Sequence, residues 1–104
     1  MTSVQTTVTA RHCEIPDDLR ERALDNAAKL AKLAHRPTRM EILFDDDNHH
    51  RSVELKLWMP PGHILVALGE AADFKTALDR AVDKLRAQLD KDLRPARRKR
   101  ESIS

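Results

Sequence analysis

Cysteine is nearly absent from this chain of 104 residues: Cys13 stands alone. One thiol closes no internal disulfide, and the expected compartment is a reducing one. Zinc modules built on paired cysteines are excluded for the same reason. Tyrosine is missing, and Phe44, Trp58 and Phe74 are the only aromatic residues. So few rings argue against a module that reads single-stranded bases on an aromatic platform. The chain has 2 glycines, too few for a phosphate-cradling glycine-rich loop. No apolar run approaches the ~18 residues that a membrane-spanning helix needs. No N-terminal stretch joins a basic end to an apolar core, so no secretory signal is expected. The expectation is a cytoplasmic protein without a membrane partner.

What the chain has is charge. Charged residues make up 35%, hydrophobic residues 40%, and the formal net charge is +2. That small sum hides an asymmetry. Residues 1–93 carry 14 Lys/Arg and 16 Asp/Glu, giving −2; residues 94–104 carry 5 Lys/Arg against Glu101, giving +4. The expected organisation is one domain over 1–93 and a basic, disordered tail over 94–104. Such a tail suits polyanions, and equally serves as a solubilising end.

Periodicity supplies the elements. Residues 4–10 alternate, with Val4, Thr6, Val8 and Ala10 on one face of a strand. Pro16 followed by Asp17 and Asp18 reads as a helix start. Leu19, Ala23, Ala27, Leu30 and Ala34 then recur at helical spacing, and Pro37 marks the exit. Strands follow at 39–45, with Met40, Ile42 and Phe44 inward, and at 51–59, with Val53, Leu55, Leu57 and Met59 inward. Pro60-Pro61-Gly62 is a tight hairpin, and a fourth strand at 63–69 is read with Ile64, Val66 and Leu68 inward. Asp73 is a candidate N-cap for a second helix striped by Phe74, Leu78, Ala81, Val82, Leu85 and Leu89, with Pro95 as its expected stop. The order β-α-β-β-β-α predicts an α+β fold. Its four-stranded sheet has one parallel pair and an antiparallel meander, with both helices on one face.

At ~100° per residue, Arg80, Lys84 and Lys91 fall on one flank of the second helix and Asp79, Asp83 and Asp90 on another. On the first helix Arg22, Lys29, Lys32 and Arg36 share a side. If the helices lie side by side, two basic ridges face a common groove suited to phosphates. Solvated cations on ordinary helix faces are the plainer reading.

The second-helix segment Asp73-Phe74-Lys75-Thr76-Ala77-Leu78-Asp79-Arg80-Ala81-Val82-Asp83-Lys84-Leu85, then Gln88-Leu89 and Lys91, resembles the ribosome hibernation-promoting factor / ribosome-associated inhibitor family, also called sigma-54 modulation proteins. Lys29-Leu30-Ala31-Lys32-Leu33 is similar to the end of that family's first helix. Phe74-Lys75 stands where the family usually has Met-Tyr. The resemblance covers about residues 4–92 and implies a fold like that of double-stranded RNA-binding domains. It also implies binding to the small ribosomal subunit near the decoding centre, and translational silencing under stress by excluding messenger and transfer RNA. By position it carries the RNA contacts to Lys29, Lys32, Arg80, Lys84 and Lys91. The charge map adds Arg22 and Arg36, with Arg94, Arg97, Arg98, Lys99 and Arg100 of the tail. The partner implied is ribosomal RNA, and no self-dimerisation domain of the kind found in long family members is expected.

Other chemistry is thin. His49-His50 beside Asp45, Asp46 and Asp47 is the best metal candidate among five histidines, but no helical His-x-x-x-His spacing supports it. A solvated turn is the preferred reading, with no metal and no cofactor. No Ser-His-Asp arrangement is traceable. Asp79 and Asp83 lie one helical turn apart without the buried setting that general acid/base work needs. Neither an enzyme nor a small-molecule substrate is expected. Trp58 and Leu65 are read on the sheet face away from the helices. They mark a partner surface, or Trp58 covers Leu65 and Leu43 across strands, which is preferred. Two rival functions stay open: a general double-stranded RNA binder, and a protein-interaction module using that open face.

Overall fold

The computed structural model describes residues 4–47 and 50–92. Six elements follow in the order β1 (Gln5–Arg11), α1 (Asp17–Leu33), β2 (Arg39–Asp47), β3 (His50–Met59), β4 (His63–Ala71) and α2 (Phe74–Asp92). They form one four-stranded sheet in the order β1-β2-β3-β4. β1 runs parallel to β2 through the α1 crossover, and the other pairs are antiparallel. The expected α+β order and sheet topology are the observed ones. The expected stop at Pro95, the tail over 94–104 and His49 of the histidine pair lie outside the described residues.

Both helices cover one face of the sheet. The core between them is built from Ala23, Ala27 and Leu30 of α1; Met40, Ile42 and Phe44 of β2; Val53, Leu55, Leu57 and Met59 of β3; and Ala77, Leu78, Ala81, Val82, Leu85 and Leu89 of α2. No polar or charged side chain is buried among the described residues. Phe44 meets Phe74 edge to face, with centroids 5.4 Å apart, which fixes the start of α2 against the middle of the sheet. Asp73 caps α2 as expected: its carboxylate accepts from the Thr76 backbone N–H at 2.9 Å.

β4 is inserted in the opposite phase to the one its sequence suggests. Leu65, Ala67 and Gly69 face the helices, while Ile64, Val66 and Leu68 are 53%, 43% and 42% exposed on the open face. Gly69 supplies the reason. A Cβ built there meets the Ala77 carbonyl oxygen at 2.1 Å and the Ala81 nitrogen at 2.6 Å. The α2 backbone lies directly on Gly69, so nothing larger than glycine fits at that position. The residues of the other parity, Ile64, Val66 and Leu68, are turned outward. Leu65 therefore leaves the open face and packs against the core. Trp58 does lie on the open face, but its strand neighbours there are Arg39 and Ile64 rather than Leu65 and Leu43. The Arg39 guanidinium sits over its ring, 5.0 Å from the centroid.

Candidate nucleic-acid interface

β4 is an edge strand, so every second residue turns its backbone polar groups away from the sheet. α2 lies alongside that edge and covers it with side chains. Arg80 donates from Nη1 to the Glu70 carbonyl at 2.7 Å, Lys84 from Nζ to the Leu68 carbonyl at 2.7 Å, and Gln88 from Nε2 to the Val66 carbonyl at 2.8 Å. The match is geometric. Four residues along a helix advance ~6 Å, and two along a strand ~6.8 Å. Successive helix positions thus meet successive outward carbonyls as the two elements run past each other.

Each bond uses one N–H of its donor. An arginine has five and a lysine three, so both cations keep donors for a further acceptor. Arg80 and Lys84 are exposed at the rim of the molecule. Lys91 continues the same flank, eleven residues after Arg80, and lies in the last turn of α2. The result is a cationic row with fixed spacing on a rigid helix. Gln88 belongs to this row and was missed as a site residue. The signal for it was plain: it follows Lys84 by the same four-residue step.

The two basic ridges do not converge on a groove between the helices. The flank of α2 that faces α1 carries the aspartates. Asp79 accepts from Nη2 of Arg22 at 3.1 Å, which ties the helices together and occupies Arg22. Further along, Leu33, Asp83, Arg86, Ala87, Leu89 and Asp90 line a shallow depression between the helices. Its carboxylates disfavour a phosphate. Lys29 and Lys32 are exposed on α1, whose buried stripe is Ala23, Ala27 and Leu30. Arg36 is exposed just beyond the helix, in a left-handed backbone conformation at φ 52°. The structure therefore brings Arg80, Lys84 and Lys91 together and holds them apart from Lys29, Lys32 and Arg36. The tail cations Arg94, Arg97, Arg98, Lys99 and Arg100 lie outside the described residues.

Arg51 anchors the start of the row. Its guanidinium lies 5.4 Å from the Phe74 ring centroid, donates to the Ala72 carbonyl at 3.3 Å and pairs with Asp46 at 3.7 Å. The Thr76 N–H and hydroxyl hold the Asp73 carboxyl below the usual carboxylate value, with smaller help from the Arg51 and Lys75 charges. At the far end of β1, the His12 hydrogen bond holds Asp45 low in the same way, with Arg11 adding to it. Burial, and next the charges of Asp46 and Asp45, push the Cys13 thiol up, away from thiolate reactivity. Among the described residues no group of three or more His, Cys, Asp or Glu converges as a metal site. No helix among them is long and apolar enough to cross a membrane.

Comparison with known proteins agrees with this architecture. The family model described as sigma 54 modulation protein / S30EA ribosomal protein matches residues 6–95. A ribosome hibernation promoting factor from Pseudomonas putida is 28% identical over 88 residues, covering 85% of this chain and 85% of the relative. The N-terminal domain of Protein Y from Thermus thermophilus superposes with a TM-score of 0.72 at 23% identity, covering 86% of this chain and 98% of that one. A ribosomal subunit interface protein from Coxiella burnetii gives a TM-score of 0.73 at 22% identity, covering 85% and 96%. Below 25% identity these two structures establish the shared fold.

Proposed function

The chain belongs to the sigma 54 modulation protein / S30EA ribosomal protein family, and on that footing we propose that it is a ribosome-associated hibernation factor. Its partner is ribosomal RNA of the small subunit, near the decoding centre, and its place of action is the cytoplasm. The mechanism is steric. A rigid domain occupies the channel of messenger and transfer RNA and keeps both out, with no catalytic step and no cofactor.

The observation that carries this reading is the cationic row Arg80, Lys84 and Lys91 at the β4 edge. Cations fixed on one helix flank, four and then seven residues apart, suit the phosphates of a nucleic-acid backbone. Phosphate contacts position a protein without reading sequence, which is what a blocking factor requires. Lys29 and Lys32 of α1 make a second, separate contact on the other side of the aspartate flank. The bound RNA surface then spans both helices as two lines of contact.

Co-sedimentation with purified small subunits tests the assignment. Lys29→Glu with Lys84→Glu is expected to lower the bound fraction while the far-ultraviolet circular dichroism stays unchanged. Unchanged pelleting would overturn it. Competition by a plain RNA duplex separates the general duplex-binding alternative: a duplex that displaces the subunit at equal concentration favours that alternative.

A further inference from the structure

We propose that β1 pairs edge to edge and antiparallel with β1 of a second copy of this chain, joining the two four-stranded sheets into one. The two edge strands of the sheet differ. β4 is closed by Arg80, Lys84 and Gln88, which bond its Glu70, Leu68 and Val66 carbonyls. β1 is the other edge. The Gln5 N–H donates to the Thr38 carbonyl at 3.1 Å, on the β2 side. Backbone direction alternates along a strand, so Gln5, Thr7, Thr9 and Arg11 bond toward β2. Thr6, Val8 and Ala10 turn both N–H and C=O outward. Among the described residues no side chain covers these groups as α2 covers β4. The strand Gln-Thr-Thr-Val-Thr-Ala-Arg holds no proline or lysine to protect a bare edge and is rich in β-branched residues.

Two observations make the partner a second copy. The first is the register. A two-fold axis perpendicular to the sheet at Val8 pairs Val8 with Val8, Thr6 with Ala10, Thr7 with Thr9 and Gln5 with Arg11 of the second copy. Val8, Thr6 and Ala10 then fall in hydrogen-bonded pairs that exchange both N–H···O bonds, so every outward group is used. Thr7 and Thr9 fall in the closer, non-hydrogen-bonded pairs, where threonines suit each other. No like charges are opposed, and Arg11 is already matched by Asp45 at 3.3 Å. Moving the axis to Thr7 or Thr9 sets Ala10 or Thr6 against a residue outside β1.

The second is α1. α2 lies on β4 at Gly69, and α1 takes the β1 side of the sheet. At ~100° per residue from the buried stripe of α1, Arg22 and Leu33 fall on the flank toward α2. There Arg22 meets Asp79, and Leu33 lines the depression between the helices. Leu24, Ala28 and Ala31 fall on the opposite flank, above the β1 edge, and Leu24 is 40% exposed. The crossover runs α1 antiparallel to β1 over a similar length, ~25 Å against ~23 Å. Leu24 and Ala28 therefore stand level with the middle of the strand, at the axis. This axis keeps the helices of both copies on one side of the joined sheet and brings their apolar flanks together. Backbone and side chains call for the same partner in the same place. One strand edge and one helix flank make a small interface, so dissociation in the micromolar range is expected. The pairing stands apart from the ribosomal reading.

Sedimentation equilibrium of the full chain tests it. Wild type is expected to rise from the monomer mass to twice that mass across a micromolar concentration series. Thr6→Pro removes an outward N–H, at a place where an edge strand tolerates proline. Leu24→Lys sets like charges across the axis. Each is expected to raise the dissociation constant at least ~ten-fold, with unchanged circular dichroism. Cross-linking reads the register. In a Cys13→Ser background, Thr7→Cys mixed with Thr9→Cys is expected to form a disulfide-linked dimer under oxidised glutathione faster than either variant alone. A wild type that stays monomeric throughout overturns the proposal. So does a dimer indifferent to both Thr6→Pro and Leu24→Lys, or a mixture that cross-links no faster than its components.

Discussion

The Lys84 ammonium reaches past the rim of the sheet and donates to the Leu68 carbonyl, 2.7 Å away. Lys84 belongs to the cationic row proposed to contact RNA, and it also covers an exposed strand edge. Replacing the whole rack tests the second role. Arg80→Ala, Lys84→Ala and Gln88→Ala together strip the cover from three β4 carbonyls. An uncovered edge is a template for pairing. The triple variant is expected to scatter more light on mild heating than wild type, with its helical circular dichroism intact beforehand.

Gly69 decides the phase of β4, and a methyl group there has nowhere to go. Its neighbours are backbone atoms of α2, which move only if the helix moves. Gly69→Ala is expected to cost about 3 kcal/mol. Gly62, at φ 76° with nothing near its added Cβ, is strained by substitution but not crowded. Urea unfolding midpoints for Gly69→Ala against wild type check this.

The same phase makes opposite forecasts for adjacent residues. Leu65→Ala removes a side chain packed on the core and is expected to cost about 2 kcal/mol. Ile64→Ala removes a side chain that is 53% exposed and is expected to cost less than about 1 kcal/mol. Equal losses in denaturant titrations, or the reverse order, would contradict the observed insertion.

Acid sensitivity follows from Asp73 and Asp45. Both carboxyls are held below their ordinary value in the folded protein, Asp73 by the Thr76 N–H and Asp45 by His12. A carboxylate with a lowered folded pKa stabilises the fold above its unfolded pKa, ~3.9 for Asp. That contribution is lost as pH falls through the folded value. The thermal midpoint is therefore expected to be level near neutral pH and to fall below about pH 4. Asp73→Ala should lower the midpoint at pH 7 and flatten the acid-side fall.

The sequence made the helices legible because each has one apolar stripe at a 3.6-residue period. Phe74, Leu78, Ala81, Val82, Leu85 and Leu89 admit a single buried face. β1, β2 and β3 were legible for the matching reason, a clean two-residue alternation. β4 was not, because Ile64-Leu65-Val66-Ala67-Leu68 is apolar at both parities. Size suggested the wrong face, and the close approach of α2 to Gly69 settled the right one. The cationic flank of α2 was also legible, but its neighbour was not. A helical projection sorts charges by angle without saying which element lies beside each flank. Packing α2 over β4 turned the aspartates toward α1 and left Arg80, Lys84 and Gln88 at the sheet edge.

The most direct test of the central claim is the salt dependence of binding to the small ribosomal subunit. For wild type, log K is expected to fall linearly with log salt. Arg80→Gln with Lys84→Gln removes two phosphate contacts and should lower the magnitude of that slope by about 1.5. An unchanged slope with unchanged affinity would contradict the account and move the RNA contacts off the α2 flank.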